Sequence, residues 1–161
     1  MNLKTVRVEI PEGANIILGQ THFIKTAEDL YEILAGSSPH IKFGVAFTEA
    51  SGPCLIRHEG NDGDLTNAAV TTVQNIGAGH VFAILIRDAF PINVLNSVKM
   101  CPEVCRIYCA TANPLEVVVA ETDQGRGIMG VVDGSSPKGV EQDSDKDARK
   151  ALLRNFGYKV K

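Results

Sequence analysis

Six consecutive apolar residues, Val81-Phe82-Ala83-Ile84-Leu85-Ile86, constrain this chain more than any other feature. A strand with one wet face alternates apolar and polar residues, so a run without alternation needs cover on both faces. That places residues 81–86 centrally in a sheet. Residues 41–47, with almost no polar side chain, read the same way.

Helical spacing supplies the cover. Leu30, Ile33 and Leu34 form one stripe behind an expected N-cap at Thr26, and Gly36-Ser37-Ser38-Pro39 ends that helix. Leu65, Ala68, Ala69, Thr72, Val73 and Ile76 form a second stripe, stopped by Gly77 and Gly79. A third helix starts over Asp88 to Pro91, where proline suits the first turn, with Ile92, Leu95 and Val98 on one side. Residues 2–10 alternate as a half-buried strand and 14–20 follow after a Pro11-Glu12-Gly13 turn, so the two are expected to form a hairpin. Further strands are expected at 54–58, 104–110, 115–121 and 127–132. Residues 141–147 are almost wholly polar and expected to be mobile, ahead of a C-terminal helix over 148–156. Hairpin-like neighbours mixed with strand–helix–strand units predict an α/β fold, with a mixed sheet under helices, in one domain over residues 1–161.

The 161 residues suffice for a core without a disulfide or metal staple, since a chain this long buries roughly 70% of its unfolded surface. A net charge of −3 speaks against a nucleic-acid partner. No apolar run reaches the length of a membrane span, and no signal-peptide core follows Met1, so a cytoplasmic address and no membrane partner are expected. Cys101, Cys105 and Cys109 sit close together while Cys54 stands apart, unlike a disulfide framework. On a strand, Cys105 and Cys109 would stand about 13 Å apart, too far for one cluster. Packing is their expected role.

Chemistry is expected in the turns. Gly77-Ala78-Gly79-His80 joins two permissive glycines to an imidazole at the entry of the central strand. Exposed N–H groups there can cradle an anion, and His80 can act as base or as nucleophile at phosphorus. The competing reading is a glycine helix stop followed by a core histidine. Asp133-Gly134-Ser135-Ser136-Pro137-Lys138-Gly139 carries a carboxylate, two hydroxyls and an ammonium that suit a phosphate or a sugar, or form an ordinary turn. Arg126, between Gly125 and Gly127, is a phosphate clamp or a turn residue. His22 and Lys25 can face a cleft at a strand end, and His40 follows Ser37-Ser38-Pro39. His58, flanked by Arg57 and Glu59, reads as a surface residue. Glu49 and Ser51, in Glu49-Ala50-Ser51-Gly52, are candidate ribose or magnesium ligands, and Asn61-Asp62 reads better as turn chemistry. There is no P-loop, no dinucleotide fingerprint, no nucleophile elbow, no His-Glu-x-x-His and no protein-kinase signature set.

Seven segments in order resemble one family. They are Gly19-Gln20-Thr21-His22-Phe23, Ser37-Ser38-Pro39-His40, Glu49-Ala50-Ser51-Gly52-Pro53, Gly77-Ala78-Gly79-His80, Arg87-Asp88-Ala89-Phe90-Pro91-Ile92-Asn93-Val94-Leu95-Asn96, Tyr108-Cys109-Ala110-Thr111-Ala112-Asn113-Pro114 and Gly130-Val131-Val132-Asp133-Gly134-Ser135-Ser136-Pro137-Lys138-Gly139. Together they resemble the small prokaryotic adenosine-specific kinases. The resemblance implies a compact α/β fold, a homo-oligomer, binding of adenosine or AMP, and a stably phosphorylated histidine. His80 is the first choice for that histidine, His22 the second and His40 the third. On this reading the protein is a phosphotransferase, with ATP as a possible partner, with Lys138, Arg126 or backbone N–H groups neutralising the phosphate and with Glu49 or Asp133 holding Mg2+ or the ribose. No organic cofactor is evident. The alternatives are a non-catalytic adenylate-binding or phosphohistidine signalling module, and a partner-binding protein whose turns are only turns.

Overall fold

The computed structural model describes residues 1–161. Its elements run β1 (Asn2–Val8), β2 (Asn15–Thr21), α1 (Thr26–Ser37), β3 (Lys42–Thr48), β4 (Ile56–Gly60), α2 (Gly63–Ile76), β5 (Val81–Arg87), α3 (Pro91–Lys99), β6 (Val104–Thr111), β7 (Leu115–Glu121), β8 (Arg126–Asp133) and α4 (Asp143–Asn155). Five strands form one sheet in the order β4-β3-β5-β2-β6, and three form a second in the order β1-β7-β8. The apolar run over 81–86 is β5, the middle strand of the larger sheet.

Both faces of that sheet are covered, which explains why β5 does not alternate. On one face Leu65, Ala69, Val73 and Ile76 of α2, with Leu115, Val117 and Val119 of β7, pack on Ile16, Leu18, Ala83 and Leu85. On the other, Leu30 and Leu34 of α1 and Val94 and Val98 of α3 pack on Ile17, Phe43, Val45, Phe82, Ile84 and Ile86. No helix is long and apolar enough to cross a membrane.

The α/β class and the helical cover hold, but strand pairing within both sheets is antiparallel. The β2–α1–β3 unit does bring two strands parallel, yet β5 inserts between them, antiparallel to each. A strand buried on both faces reads the same in either direction, so sequence pattern is silent on this point.

Three local expectations are corrected. β1 and β2 form no hairpin: β1 pairs with β7 through Leu3↔Ala120 and Val6↔Val117. β1 offers one apolar face and suits the half-wet small sheet, whereas β2 is buried on both sides. Thr26 is not a cap but the first helical residue of α1, and its hydroxyl donates back to the Phe23 carbonyl at 2.5 Å. The polar stretch expected to be mobile contributes the start of α4, where Asp143 and Asp145 favour the positive end of the helix dipole.

One close approach sets where α2 lies. A Cβ on Gly44 would stand 2.2 Å from the Thr66 backbone nitrogen, so α2 crosses β3 in direct backbone contact. Asp62 caps that helix by accepting from Leu65 N–H at 3.0 Å, and Asn61 accepts from Phe43 N–H at 2.8 Å. The Asn61-Asp62 pair is therefore turn chemistry, as its composition indicated.

Candidate functional site

The ends of β2 and β3 and the start of β5 meet at one edge of the large sheet. There the His80 N–H donates to the Thr48 carbonyl at 2.9 Å, and the His80 carbonyl accepts from Thr21 N–H at 3.0 Å. Thr48 also fastens the preceding turn, its buried hydroxyl donating to the Ala78 carbonyl at 2.7 Å and accepting from Val81 N–H at 2.9 Å. No pattern around Thr48 singled it out, because a threonine at a strand end is unremarkable until its partner turn is known.

His80 is held at φ 57°, in the left-handed region that non-glycine residues rarely enter. Such strain persists only where the surroundings over-determine it, and it clusters at functional sites. The imidazole stacks on Phe47, ring centroids 6.0 Å apart and 19° from parallel. The two glycines divide the labour. Gly77, at φ 68°, is the left-handed cap of α2 and donates to the Val73 carbonyl, the ordinary reading of that glycine. Gly79 is a close-approach glycine, since a Cβ there would stand 2.8 Å from Ala50 Cβ.

Register adds the next groups. Phe47 faces Arg57 across β3–β4, so the two share the sheet face on which His80 stacks. Arg57 donates to Glu49 Oε1 through two nitrogens, at 3.0 and 2.8 Å, and Leu55 N–H donates to Glu49 Oε2 at 2.8 Å. The Leu55 N–H and then Arg57 hold Glu49 below the ordinary carboxylate range despite some opposing desolvation. The Glu49–Arg57 pair stands between two clefts. One, of about 680 Å³, is lined by Phe23, Ile24, Lys25, Ile56, Arg57 and His58 among others. The other, of about 600 Å³, gathers Glu49, Ala50, Gly77, Gly79, Gln124 and Arg126.

Thus the fold brings Gly77, Gly79, Glu49 and Arg126 into one cleft, while His80, bonded to Thr48 and Thr21, and exposed His22, following β2, stand at the same edge without lining that cleft. Exposed Ser51 is there too, in a turn whose carbonyl accepts from Cys54 N–H. Arg126 is already engaged, to Glu121 at 2.7 Å and to the Asn75 and Ile76 carbonyls at the end of α2. His40 lies before β3, and β3 separates it from His80 by roughly 20 Å of strand. Asp133 closes the end of β8 opposite Arg126, about 23 Å away along the strand, and accepts from Thr111 and Asn113. Exposed Ser135, Ser136 and Lys138 follow it, so the Lys/Ser loop does not share a cleft with His80 of its own chain.

Cys101 packs in the core as expected and also joins a polar cluster with Asp29 of α1. Asp29, Cys101 and Glu103 bring their donor atoms within 4.8 Å of one another, and Cys101 Sγ donates to Glu103 Oε2 at 2.9 Å. Lys25 pairs with both carboxylates, which balances part of their charge. Burial pushes the Cys101 and Cys109 thiols up to about 11. All four cysteines are free, and only Cys54 and Cys105 are exposed. Iodoacetamide on the native protein should therefore modify two thiols and spare two, counted by intact mass before and after unfolding.

Burial opposes ionisation of Glu103, but the Cys101 thiol and the Lys25 charge outweigh it and hold its pKa well below 4.5. A carboxylate depressed in the folded state stabilises above its unfolded pKa and loses that contribution as pH falls through the folded value. Acid titration of stability should accordingly steepen below about pH 4.5, and Glu103→Gln should flatten that limb; an unchanged limb refutes the assignment.

The family model described as adenosine specific kinase matches residues 6–159. The crystal structure of the PH1918 protein from Pyrococcus horikoshii OT3 is 45% identical, covers 99% of each chain and superposes with a TM-score of 0.95. No curated protein matches the chain.

Proposed function

The chain belongs to the adenosine specific kinase family, and we propose that it binds adenosine or AMP at the edge around His80 and transfers a phosphoryl group through that histidine. The observation that carries this reading is His80 itself: a non-glycine residue at φ 57°, locked by Thr48 and stacked on Phe47 at an open sheet edge. A helix stop followed by a core histidine needs none of these.

In the proposed step an imidazole nitrogen attacks the terminal phosphorus of a nucleoside triphosphate. The N–P bond forms as the bridging P–O bond breaks, and the diphosphate leaves with the electron pair. Adenosine then accepts the phosphoryl group and gives up its hydroxyl proton, restoring neutral His80. The demand on the protein is charge stabilisation rather than covalent machinery. The Ala78 and Gly79 backbone N–H groups, which donate to no backbone carbonyl, and the nearby Arg57 and Lys25 are the groups that would supply it. Glu49 is ill suited to hold magnesium alone, because Arg57 and Leu55 already take both oxygens. Asp133 sits at the far end of β8. Magnesium enters this proposal with the nucleotide's own phosphates, as this cation commonly does.

The test is transfer of label from terminally labelled ATP to the protein, followed by chase with adenosine. Acid-labile, base-stable label that moves to adenosine is the expected result. Adenosine or AMP binding by calorimetry without any label would instead establish a binding module and sink the transfer step.

A further inference from the structure

Residues 135–161 form an arm that the rest of its chain does not use. Every hydrogen bond they make stays within the segment, and α4 buries none of its 13 residues. An isolated helix of this length is marginal in water. Yet α4 carries an apolar stripe, Ala148, Ala151, Leu152 and Phe156, at the spacing of a packed helix. Leu152 and Phe156 are 52% and 64% exposed.

This placement is not peculiar to one chain. The arm is about a sixth of the molecule, and a TM-score of 0.95 over 99% of the PH1918 crystal structure leaves no room for a relocated sixth. The chain thus holds an amphipathic helix off its own body. Charge says what it meets. The arm contains seven of the 16 Lys and Arg and four of the 19 Asp and Glu, so it carries +3 while the rest of the chain carries −6. The basic excess lies in the half that bears the apolar stripe, at Arg149, Lys150, Arg154, Lys159 and Lys161.

We propose that the 135–161 arm is an assembly device, whose α4 packs its Leu152/Phe156 stripe onto the acidic body of a second copy of this chain. An anionic membrane fits less well, because the −6 body would be repelled from it and Asp143, Asp145 and Asp147 stand on the same helix. The inference is independent of the adenosine reading.

Sedimentation velocity on the full chain tests it directly. The unaltered protein should run as an oligomer of the 17.3 kDa chain at micromolar concentration, and rising salt should loosen it. Leu152→Asp with Phe156→Asp should give monomer with the thermal unfolding of the body retained, since neither side chain is buried in the protomer. Lys150→Glu with Arg154→Glu, which removes no apolar contact, should weaken association by about tenfold or more, on the scale of losing two desolvated charge pairs. A full chain that is monomeric, including one that binds anionic vesicles as a monomer, overturns the proposal. So does an oligomer whose mass both variants leave unchanged. Mass is read without adenosine, so loss of nucleotide binding and loss of assembly are separable.

Discussion

His80→Ala should abolish phosphoryl labelling of the protein, a fall of at least about 10³-fold, the scale of removing a nucleophile. Adenosine binding should survive, because on the proposed reading the imidazole reacts with phosphorus and does not hold the nucleoside. Stability needs its own control. His80 sits at φ 57°, which costs an L-residue roughly 1–2 kcal/mol, and glycine would return that. Losing the stack on Phe47 gives up about 0.5–1.5 kcal/mol. The two nearly cancel, so His80→Gly should be unlabelled yet melt close to the unaltered protein. Labelling with ATP, read beside thermal unfolding of both variants, checks this. Label that persists in His80→Gly assigns the chemistry elsewhere, with His22 at the same edge the next to be replaced.

The largest effect on stability is expected at Gly44→Ala. The new Cβ would lie 2.2 Å from Thr66 N, 2.3 Å from Leu65 C and 2.4 Å from Thr66 Cα. All three are backbone, so no rotamer change relieves the clash; α2 must lift from β3. Overpacking costs typically 1–3 kcal/mol, and a rigid backbone neighbour puts this site at about 3 kcal/mol or beyond. For a chain of this size that lowers Tm by roughly 6–12 °C. Gly36→Ala in α1, where a Cβ meets nothing within 4 Å, should instead stabilise by about 0.5–1 kcal/mol. Denaturant midpoints of the two variants should move in opposite directions; a neutral Gly44→Ala would mean that α2 is free to shift.

Much of the fold was legible because its signals are local. The run over 81–86 has one physical solution, a strand covered on both faces, and β5 is that strand. The stripe from Leu65 to Ile76 became α2, and Gly77 became its left-handed cap. The misreadings share a cause. Proximity in sequence pairs β1 with β2, whereas pairing is decided by which sheet can bury each strand's apolar faces. The polar start of α4 reads as loose chain because charged residues satisfy a helix dipole as readily as they solvate a coil.

The site divides along the same line. Residue order alone pointed to the family and offered the turns as candidate sites. Only the tertiary structure decided which turns meet. It joined Glu49 and Arg126 to Gly77 and Gly79 in one cleft, and it sent His40 and the 133–139 loop to the far ends of β3 and β8. It also revealed Thr48 and Phe47 as the groups that hold His80. A residue's type and spacing fix what it can do, but strand direction and register, settled by burial across the whole chain, fix what it can do it with.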